Sequence, residues 1–407
     1  MKLLYVTKQL PFGSDEAFIY AELAHHAAKG HDITVVPVRK GPLMHENGRA
    51  LLSKTLAQPL ISTAITMGFF AETLRYPLRV ICALGRTLDL RRPRLLPRNM
   101  AVWMKGVWLA RELRQRGVDH VHVHWIAVPA TMGMIAAEIS RVPFSITAHR
   151  YDIAQGNLVP EKFAQATFVR AIDGPGVVEL TAQLPPEQRP PVLIRMGVNV
   201  PETQVALRDG ALSLMRGVMG ARFIAKKGHA TLIEAVALAR SMGQVVQIDC
   251  YGDGPLQGAM EARVAELGLR DAIRFCGVLS HDALQRQLAS GTYDFAVLPS
   301  VTAQDGDKEG IPVFLMEAMA VGLPVIATPN GGITELISKG SGLLVPEHDV
   351  RALAEAMKRI AMSGALRLSL AESGRKSVLA QFSIGGCMNQ LESLIRNSTL
   401  PVEHQNR

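Results

Sequence analysis

The stretch EGIPVFLMEAMAVG, residues 309–322, contains two carboxylates whose sequence context predicts a bound ligand. Glu309 and Glu317 lie eight positions apart, and Glu317 is the only charge in the apolar run that follows Gly310. Because carboxylates are rarely buried without a partner, we expect this acid to serve a ligand. Gly310 and Pro312 indicate a loop that turns into a helix, since proline is favoured in the first helical turn. Glu309 is therefore predicted at the helix entrance, with Glu317 about one and a half turns inside.

A helix entrance of this kind suits a ligand that carries both phosphate and hydroxyl groups. The free N-terminus of the helix presents unpaired N–H groups and partial positive charge to a phosphate. We expect the backbone of Gly310, Ile311 and Pro312 to lie next to this ligand. Glu309 and Glu317 on either side accept hydrogen bonds from hydroxyls. A sugar nucleotide has both groups. The alternative is that Glu309 is a solvated loop acid and Glu317 a paired structural carboxylate.

The composition describes a large globular chain. Its 407 residues predict two or three domains, and 48% of them are hydrophobic. The four cysteines are scattered and form no CxxC pair, which argues against a zinc site or a disulfide framework and fits a reducing cytoplasm. The N-terminal MKLLYVTKQLPFG has only a short apolar run, so we expect a first strand there and not a signal peptide.

Basic residues are concentrated in one segment. Between Arg75 and Arg116, eleven basic residues accompany two acidic ones, a local net charge of +9 against +8 for the whole chain. Interleaved apolar residues, Trp103 and Trp108 among them, give the composition of helices that lie on an anionic membrane surface. The alternatives are ordinary helices with a solvated basic face and, more weakly, binding of nucleic acid.

An uncharged stretch precedes this basic segment. Thr55 to Ala71 spans 17 residues and includes Gln58, Pro59 and four Ser or Thr. It falls short of the roughly 20 mostly apolar residues that a membrane-spanning helix needs. We interpret it as a buried or interfacial helix.

Short β-rich runs alternate with helical patterns through both halves of the chain. This alternation predicts two α/β units, each a parallel sheet covered by helices, with a hinge between about Gly197 and Leu214. Ligands bind at the carboxyl ends of such strands, so two facing units predict an interdomain cleft. The predicted strands are LLYVT, DITVVPV, HVHVHW, PFSITAH, FVRAI and PVLIRMGV, then ARFIA, VVQIDCYG, IRFCG, FAVLPS, PVIATP and GLLVP.

Two further groups of residues suit a diphosphate. Arg222, Lys226 and Lys227 precede Gly228 and a predicted helix and offer cations, with a solvated basic turn as the alternative. Gly252 and Gly254, in YGDGPLQG, permit close approach of the backbone to a ligand. The pattern is GxGxxxG, and the next strand does not end in an acid, which argues against nicotinamide binding.

Acids and histidines near other strand ends are weaker candidates. Asp305 and Asp307 resemble a metal-binding pair, but their glycine-rich surroundings favour a plain loop, and no metal is expected. His124 and His149 end consecutive predicted strands, and Asp152 follows, near the mouth of the first sheet. Such histidines are either structural or part of a site.

The motifs of the second half occur in a familiar order. GARFIAKKG, CYGDGP, RFCGVLSHDAL, FAVLPS, DGDKEGIPVFLMEAMAVGLPVIATPNGGITELI and GLLVPEHD resemble the retaining glycosyltransferases of family 4, also called group 1, which have the GT-B fold. In the first half, LPFGSDEAFIYAELAHHAAKGHDITVV, HVHVHWIAVPATMGMIAAEISRVPFSITAHRYDI and RMGVNV are similar to a subgroup that builds bacterial exopolysaccharides and related cell-surface glycans.

The resemblance implies a role for each candidate residue. Glu309 would contact the transferred sugar, and Glu317 the ribose hydroxyls of the nucleotide. Arg222 and Lys227 would clamp the diphosphate, and His149 would reach the sugar from the opposite domain.

The first loop would approach the donor phosphate or the acceptor. It includes Gly13, Ser14 and Glu16, where many relatives have a Gly-Gly pair. FVRAID also replaces a serine-bearing segment that is common in the family. His124, Asp152, Trp103 and Trp108 would lie on the acceptor or membrane side.

The sequence as a whole therefore predicts a two-domain α/β GT-B enzyme. Residues 1–200 would form the acceptor-side domain, with basic-apolar helices over about 55–116, and residues 201–385 the nucleotide-sugar domain. Residues 386–407 would form a helix and tail able to pack back on the first domain.

The expected reaction is sugar transfer, with retention, from a nucleotide diphosphate sugar to a lipid-linked or cell-surface glycan acceptor, without cofactor or metal. The expected location is the cytoplasmic face of the inner membrane. The expected macromolecular partner is an anionic membrane surface, and binding of nucleic acid is not expected. The alternatives are a non-catalytic sugar-nucleotide or glycan-binding relative and another GT-B activity such as sugar-nucleotide epimerisation.

Overall fold

The computed structural model describes residues 1–13, 16, 18–43, 46–88, 92–304, 306–338 and 340–399, without the side chains of residues 46, 47 and 151. The chain divides into two compact units. One is Met1–Arg195 with the segment that begins at Cys387, and the other is Met196–Gly386. The first unit ends five residues before the boundary at residue 200 that the sequence suggests.

A parallel six-stranded sheet, in the order β2-β1-β3-β4-β5-β6, forms the centre of the first unit. Its strands are β1 Lys2–Thr7, β2 Asp32–Pro37, β3 His120–His124, β4 Phe144–Ala148, β5 Val169–Ala171 and β6 Val192–Leu193. Strands β3 and β4 are buried along their whole length. Parallel strands that are covered on both faces are usually nearly continuous apolar runs, and His120 and His122 interrupt this pattern in β3. Buried polar groups need hydrogen-bond partners, and the Ser145 hydroxyl is within hydrogen-bond distance of both rings, at 2.7 and 2.8 Å.

Helices cover this sheet and are mostly amphipathic. They are α1 Ile19–Ala28, α2 Glu46–Leu51, α3 Thr63–Arg75, α4 Pro77–Thr87, α5 Leu96–Ala101, α6 Trp103–Arg116, α7 Val128–Ser140, α8 Arg150–Ile153, α9 Val159–Gln165 and α10 Gly174–Thr181. The helices α6 and α7 pack against each other in the hydrophobic core of this unit. Among the residues described, no helix has the length and apolarity that a bilayer crossing requires.

The second unit repeats the same architecture, with a parallel sheet in the order β12-β11-β10-β7-β8-β9. Its strands are β7 Leu214–Gly220, β8 Val245–Tyr251, β9 Ile273–Phe275, β10 Phe295–Leu298, β11 Val325–Ala327 and β12 Leu343–Leu344. Its helices are α11 His229–Ser241, α12 Gln257–Glu266, α13 His281–Leu288, α14 Val313–Ala320, α15 Ile333–Leu336, α16 Val350–Met362 and α17 Gly364–Gln381. The last helix, α18 Ile384–Thr399, belongs to the first unit from Cys387 onward.

One predicted strand is wrong. The sequence analysis begins the second series with ARFIA, residues 221–225, but the first strand of this unit is β7, which ends at Gly220. Its sequence LMRGVMG contains two glycines, which are disfavoured in strands and hide the pattern. Gly217 is required by packing, because a Cβ there would lie 2.5 Å from ring carbons of Phe295.

The close packing around Gly217 predicts how an added methyl group changes the free energy of unfolding. Gly217→Ala should lower the free energy of unfolding by about 1–3 kcal/mol, because the added methyl overpacks the space against Phe295 and Ile248. Gly258→Ala is the matched control, since no atom lies within 4 Å of the added Cβ in helix α12. It should be neutral or stabilising by up to about 1 kcal/mol. Urea unfolding of both variants measures the difference, and equal midpoints would contradict the placement of β7.

Candidate active site

The candidate site of the second unit lies along one edge of its sheet. All the strand pairs of this sheet are parallel, so their carboxyl ends meet at a common edge. Arg222 follows β7, Gly252 follows β8, Ser300 follows β10 and Asn330 follows β11. Residues that are distant in the sequence are thus brought to the edge where α/β proteins bind ligands.

Glu309 is buried at this edge, and its charge is compensated. Its Oε1 lies 2.7 Å from Nζ of Lys227 and accepts a hydrogen bond of 3.1 Å from the Ser300 hydroxyl. Lys227 ends a short 3-10 helix, Ala225–Lys227, in the loop after β7. The structure therefore brings together two residues that the sequence analysis assigned to the sugar and to the diphosphate.

The backbone around Glu309 is fixed by a polar network that the sequence analysis did not identify. Asn330 accepts a hydrogen bond from the Glu309 amide at 2.8 Å and donates to Glu347 at 2.7 Å. Glu347 in turn accepts from the Thr302 amide at 2.8 Å. Gly331 has a φ of +54°, and a Cβ there would meet the Glu309 carbonyl at 1.9 Å. The available signal was TPNGG, a turn sequence directly after a strand.

The described residues leave the first amide groups of helix α14 unpaired. Pro312 precedes the first helical residue with extended backbone angles, one position before the helical turn in which the sequence analysis places it, and Gly310 and Ile311 are half-buried in the loop before it. Within the described part of the chain, the amide groups of Val313 and Phe314 have no acceptor. These are the orphan donors of a helix start, which attract phosphate.

Glu317 is buried inside α14 and is held by residues of α13. Its Oε1 contacts Nε2 of His281 and accepts a hydrogen bond of 3.0 Å from Gln285. The contact with Glu317 raises the pKa of His281, although partial burial opposes the shift. His281 was missed because SHDAL shows only a helix start, with Ser280 capping the Ala283 amide.

Arg222 and the glycine loop form the neighbouring part of the edge. Arg222 is exposed, and within the residues described its guanidinium has no acidic partner. Gly252 and Gly254 allow the loop after β8 to touch the loop after β7, because a Cβ on them would lie 2.1 Å from Ala221 O and 2.6 Å from Phe223 O. The glycines therefore place the Arg222 segment, whatever contact they make with a ligand.

In the first unit, the predicted histidines belong to a buried chain of polar groups. Nε2 of His124 lies 3.2 Å from Glu22, and its Nδ1 lies 3.1 Å from Nε2 of His149. Arg170 reaches the second oxygen of Glu22 at 3.0 Å. Burial would raise the pKa of Glu22, but these cationic and hydrogen-bonding neighbours hold it well below its usual range. Burial lowers the pKa of His149, which keeps this ring neutral.

Asp152 and Glu16 both accept hydrogen bonds from backbone amides of the first unit. Asp152 accepts hydrogen bonds from the amides of His149 at 3.0 Å and Ala127 at 3.2 Å, and burial raises its pKa to about 7 despite them. Asp152 thus fixes the segment that carries His149.

Glu16 accepts four hydrogen bonds at 2.6–3.0 Å, from Trp125 Nε1 and from the amides of residues 8, 9 and 10. The expectation that Glu16 meets an acceptor is corrected, because both of its oxygens are occupied in holding the first loop. Gly13 lies in this loop and donates its amide to Pro42 at 2.9 Å, whereas Ser14 lies outside the described residues.

Trp103 and Trp108 do not lie on a membrane-facing surface. Both side chains are buried in the hydrophobic core, at 7% and 4% exposure. A Cβ on Gly68 would lie 2.6 Å from Trp108 Cδ1, so helix α3 packs directly on this ring. The sequence analysis assigned these rings to the surface because helix α6 also carries many basic residues.

The structure also bears on possible metal ligands. Asp305 lies outside the described residues, and Asp307 pairs with Lys226 at 2.7 Å, which fits a loop. Among the residues that the structure describes, two buried groups have suitable donor atoms and lie in the first unit, and Arg170 and Arg396 already neutralise their carboxylates. These groups are Glu22, His122 and His124, and His26, His31 and Glu392. Independence from metal stays a prediction.

The comparisons with known proteins agree with this architecture. Residues 218–377 match the family model described as "Glycosyl transferases group 1". Together with the two parallel sheets, this match confirms both the resemblance to group 1 glycosyltransferases and the GT-B fold.

Individual relatives can then be named. The chain is 28% identical to the amylovoran biosynthesis glycosyltransferase AmsK of Erwinia amylovora, over 97% of this chain and 99% of that protein. It is 37% identical to the putative colanic acid biosynthesis glycosyltransferase WcaL of Escherichia coli K12, over 40% of each chain. The crystal structure of Anabaena HepE in complex with UDP has a TM-score of 0.71 at 17% identity, over 98% of this chain and 100% of that chain. This last likeness shows the fold alone.

The contact between His281 and Glu317 predicts a pH dependence. A raised pKa means that the folded state favours protonated His281, so the contact stabilises the protein fully below the unfolded pKa near 6.5 and less as pH rises through the folded pKa. An NMR titration should therefore show the pKa of His281 above its ordinary value. Glu317→Gln should bring it down, whereas Glu372→Gln, an exposed acid on α17, should not. An unchanged His281 titration in Glu317→Gln would contradict the contact.

Proposed function

We propose that the protein transfers a sugar from a nucleotide diphosphate sugar to a lipid-linked or cell-surface glycan acceptor, with retention at the anomeric carbon, in exopolysaccharide-type biosynthesis. The observation that carries the proposal is the pairing of Glu309 with Lys227 near the unpaired amide groups that begin α14. The names of AmsK and WcaL support the biosynthetic context. The UDP complex of HepE supports a nucleotide donor.

The chemistry of such a transfer matches the charges at this edge. As the anomeric bond breaks, the sugar becomes oxocarbenium-like and the leaving diphosphate gathers negative charge. In our proposal Lys227 and Arg222 meet the diphosphate, together with the amide groups at the start of α14. Lys227 then leaves the Glu309 carboxylate and pairs with a donor phosphate. Glu309 is thereby free to accept a hydrogen bond from a sugar hydroxyl or to stabilise the positive charge of the sugar.

Glu317 is proposed to bind the ribose of the donor. Its second oxygen, Oε2, is available for hydroxyl groups, while His281 and Gln285 hold Oε1. Fixed cations and amide donors would do the work of a metal ion, so we propose a metal-independent reaction. The enzyme is further proposed to act as a peripheral protein at the cytoplasmic membrane face, and the proposed contact of His149 with the sugar rests on the family resemblance.

A pair of neighbouring lysines provides a matched test of the diphosphate site. Lys226 and Lys227 each lie 2.7 Å from a carboxylate, but only Lys227 pairs with Glu309. Lys227→Met should weaken binding of a nucleoside diphosphate by about 10- to 100-fold, the effect of losing one charge-assisted hydrogen bond. Lys226→Met should bind nearly as well as the unmodified protein. Thermal shift against a panel of nucleoside diphosphates and their sugars measures both.

Turnover separates an enzyme from a binding protein. With the donor found by that panel, Glu309→Gln should reduce transfer by about 10²–10³-fold while nucleoside diphosphate binding persists. Equal loss of binding in Lys226→Met and Lys227→Met would contradict the assigned diphosphate site. Donor binding without turnover by the unmodified protein, in the presence of membrane-extracted acceptors, would contradict the enzyme proposal.

A further inference from the structure

Helices α3 and α4 of the first unit expose large apolar side chains at helical spacing. Six such side chains are between 58% and 83% exposed. They are Ile61 before α3, Met67, Phe70 and Leu74 on α3, and Leu78 and Ile81 on α4. Spacings of three and four residues put the members within each helix on one face of that helix. We call these two faces together the apolar face of the α3–α4 hairpin, the pair of helices that Tyr76 joins.

The hairpin is anchored by its opposite face. Ile65 and Gly68 on α3 and Val80 and Ala83 on α4 are buried, and Gly68 lies directly against Trp108. The helices are therefore apolar on two sides, of which only one packs on the protein. A row of exposed apolar side chains on one face of a helix marks an interaction site, whereas single exposed hydrophobic residues need no explanation.

The charges around this face select the partner. In residues 52–88 the only acid is Glu72, which is buried and paired with Arg114. At the turn between the helices, the guanidinium groups of Arg75 and Arg79 lie 5.6 and 4.9 Å from the Tyr76 ring, and that of Arg114 lies 4.4 Å from it. Arg114 is already paired with Glu72, so Arg75 and Arg79 are the two arginines here whose charge no acid of residues 52–88 compensates, although Arg79 also donates to the Ile139 carbonyl. Such a surface complements negative charge.

We propose that the apolar face of the α3–α4 hairpin inserts into the interfacial layer of an anionic membrane. Leu74 and Leu78 would lie among the upper acyl chains, and Arg75 and Arg79 at the level of the lipid phosphates. The helices have 13 and 11 residues, too short to cross a bilayer, so they lie in its plane. This inference specifies the membrane contact of the proposed function, but it does not depend on sugar transfer.

A second copy of the chain is a less suitable partner for this face. A two-fold interface brings the same patch of both subunits together. Pairing the apolar faces would therefore bring the arginine cluster of one copy close to that of the other, and like charges in a desolvated interface are unfavourable. Lipid phosphates neutralise the same cluster.

Vesicle flotation of the full-length protein tests the inference. The unmodified protein should float with vesicles that contain phosphatidylglycerol and much less with phosphatidylcholine alone. Leu74→Asp combined with Leu78→Asp should weaken binding to the anionic vesicles by about 100-fold, roughly tenfold for each inserted side chain that is lost. Val178→Asp is the matched control, because Val178 is 71% exposed in the same unit but away from the hairpin, and it should bind normally.

Salt and charge variants separate insertion from simple attraction. Arg75→Gln with Arg79→Gln should reduce binding to anionic vesicles and flatten its salt dependence. The unmodified protein should retain part of its binding at high salt, since apolar insertion is not screened. Complete release at high salt, with the two Leu→Asp changes having no effect, would overturn insertion.

Two other outcomes would also overturn the inference. One is a failure of the unmodified protein to bind anionic vesicles. The other is a concentration-dependent dimer that the Leu74→Asp and Leu78→Asp changes convert to monomer, because the face would then join two copies. Thermal shift by nucleoside diphosphates in the same variants shows that they are folded. It also separates failure of this inference from failure of the proposed function.

Discussion

A carboxylate remains charged in a protein interior only where a cation or several hydrogen-bond donors compensate it, and this constraint shapes both units. In the first unit Glu22 is paired with Arg170, whose side chain is 0% exposed. In the second unit Glu309 is paired with Lys227, 19% exposed, and Glu317 with His281, 43% exposed. Both partners in the second unit reach solvent, so in our proposal Lys227 can exchange Glu309 for a ligand phosphate while His281 stays on Glu317. Arg170 does not reach solvent, so Glu22 is a permanent part of the core.

The permanent network has its own consequence for His149. If Glu22 accepts the proton of His124 Nε2, then Nδ1 of His124 carries a lone pair and accepts from Nε2 of His149. Burial keeps the His149 ring neutral, so its remaining nitrogen, Nδ1, is then a hydrogen-bond acceptor. In that arrangement Glu22 acts through His124 to set the proton position on His149, a residue that the family resemblance links to the sugar, as second partners commonly do in histidine sites.

The sequence predicted most strands because buried parallel strands are short apolar runs between turns, and β10 and β11 both show that pattern. It failed at β7, where Gly217 serves the packing of Phe295 and weakens the local signal. It placed Glu309 and Lys227 in one site through motif resemblance and helix-start chemistry. It did not find Asn330 or His281, because each acts on an acid distant in the sequence, and only the tertiary fold brings the partners together.

The α3–α4 hairpin shows why composition alone assigned an exposed surface to side chains that are buried. Aromatic residues among basic ones suggest an interfacial helix, yet Trp108 is the ring on which Gly68 allows α3 to pack. An uncharged stretch suggests burial, yet Met67 and Phe70 within it are exposed. A helix that is apolar on two sides gives the same sequence pattern whether both sides are covered by protein or one remains open to solvent. The arrangement of α3 on α6 decides between these cases, and it leaves the apolar face of the hairpin exposed.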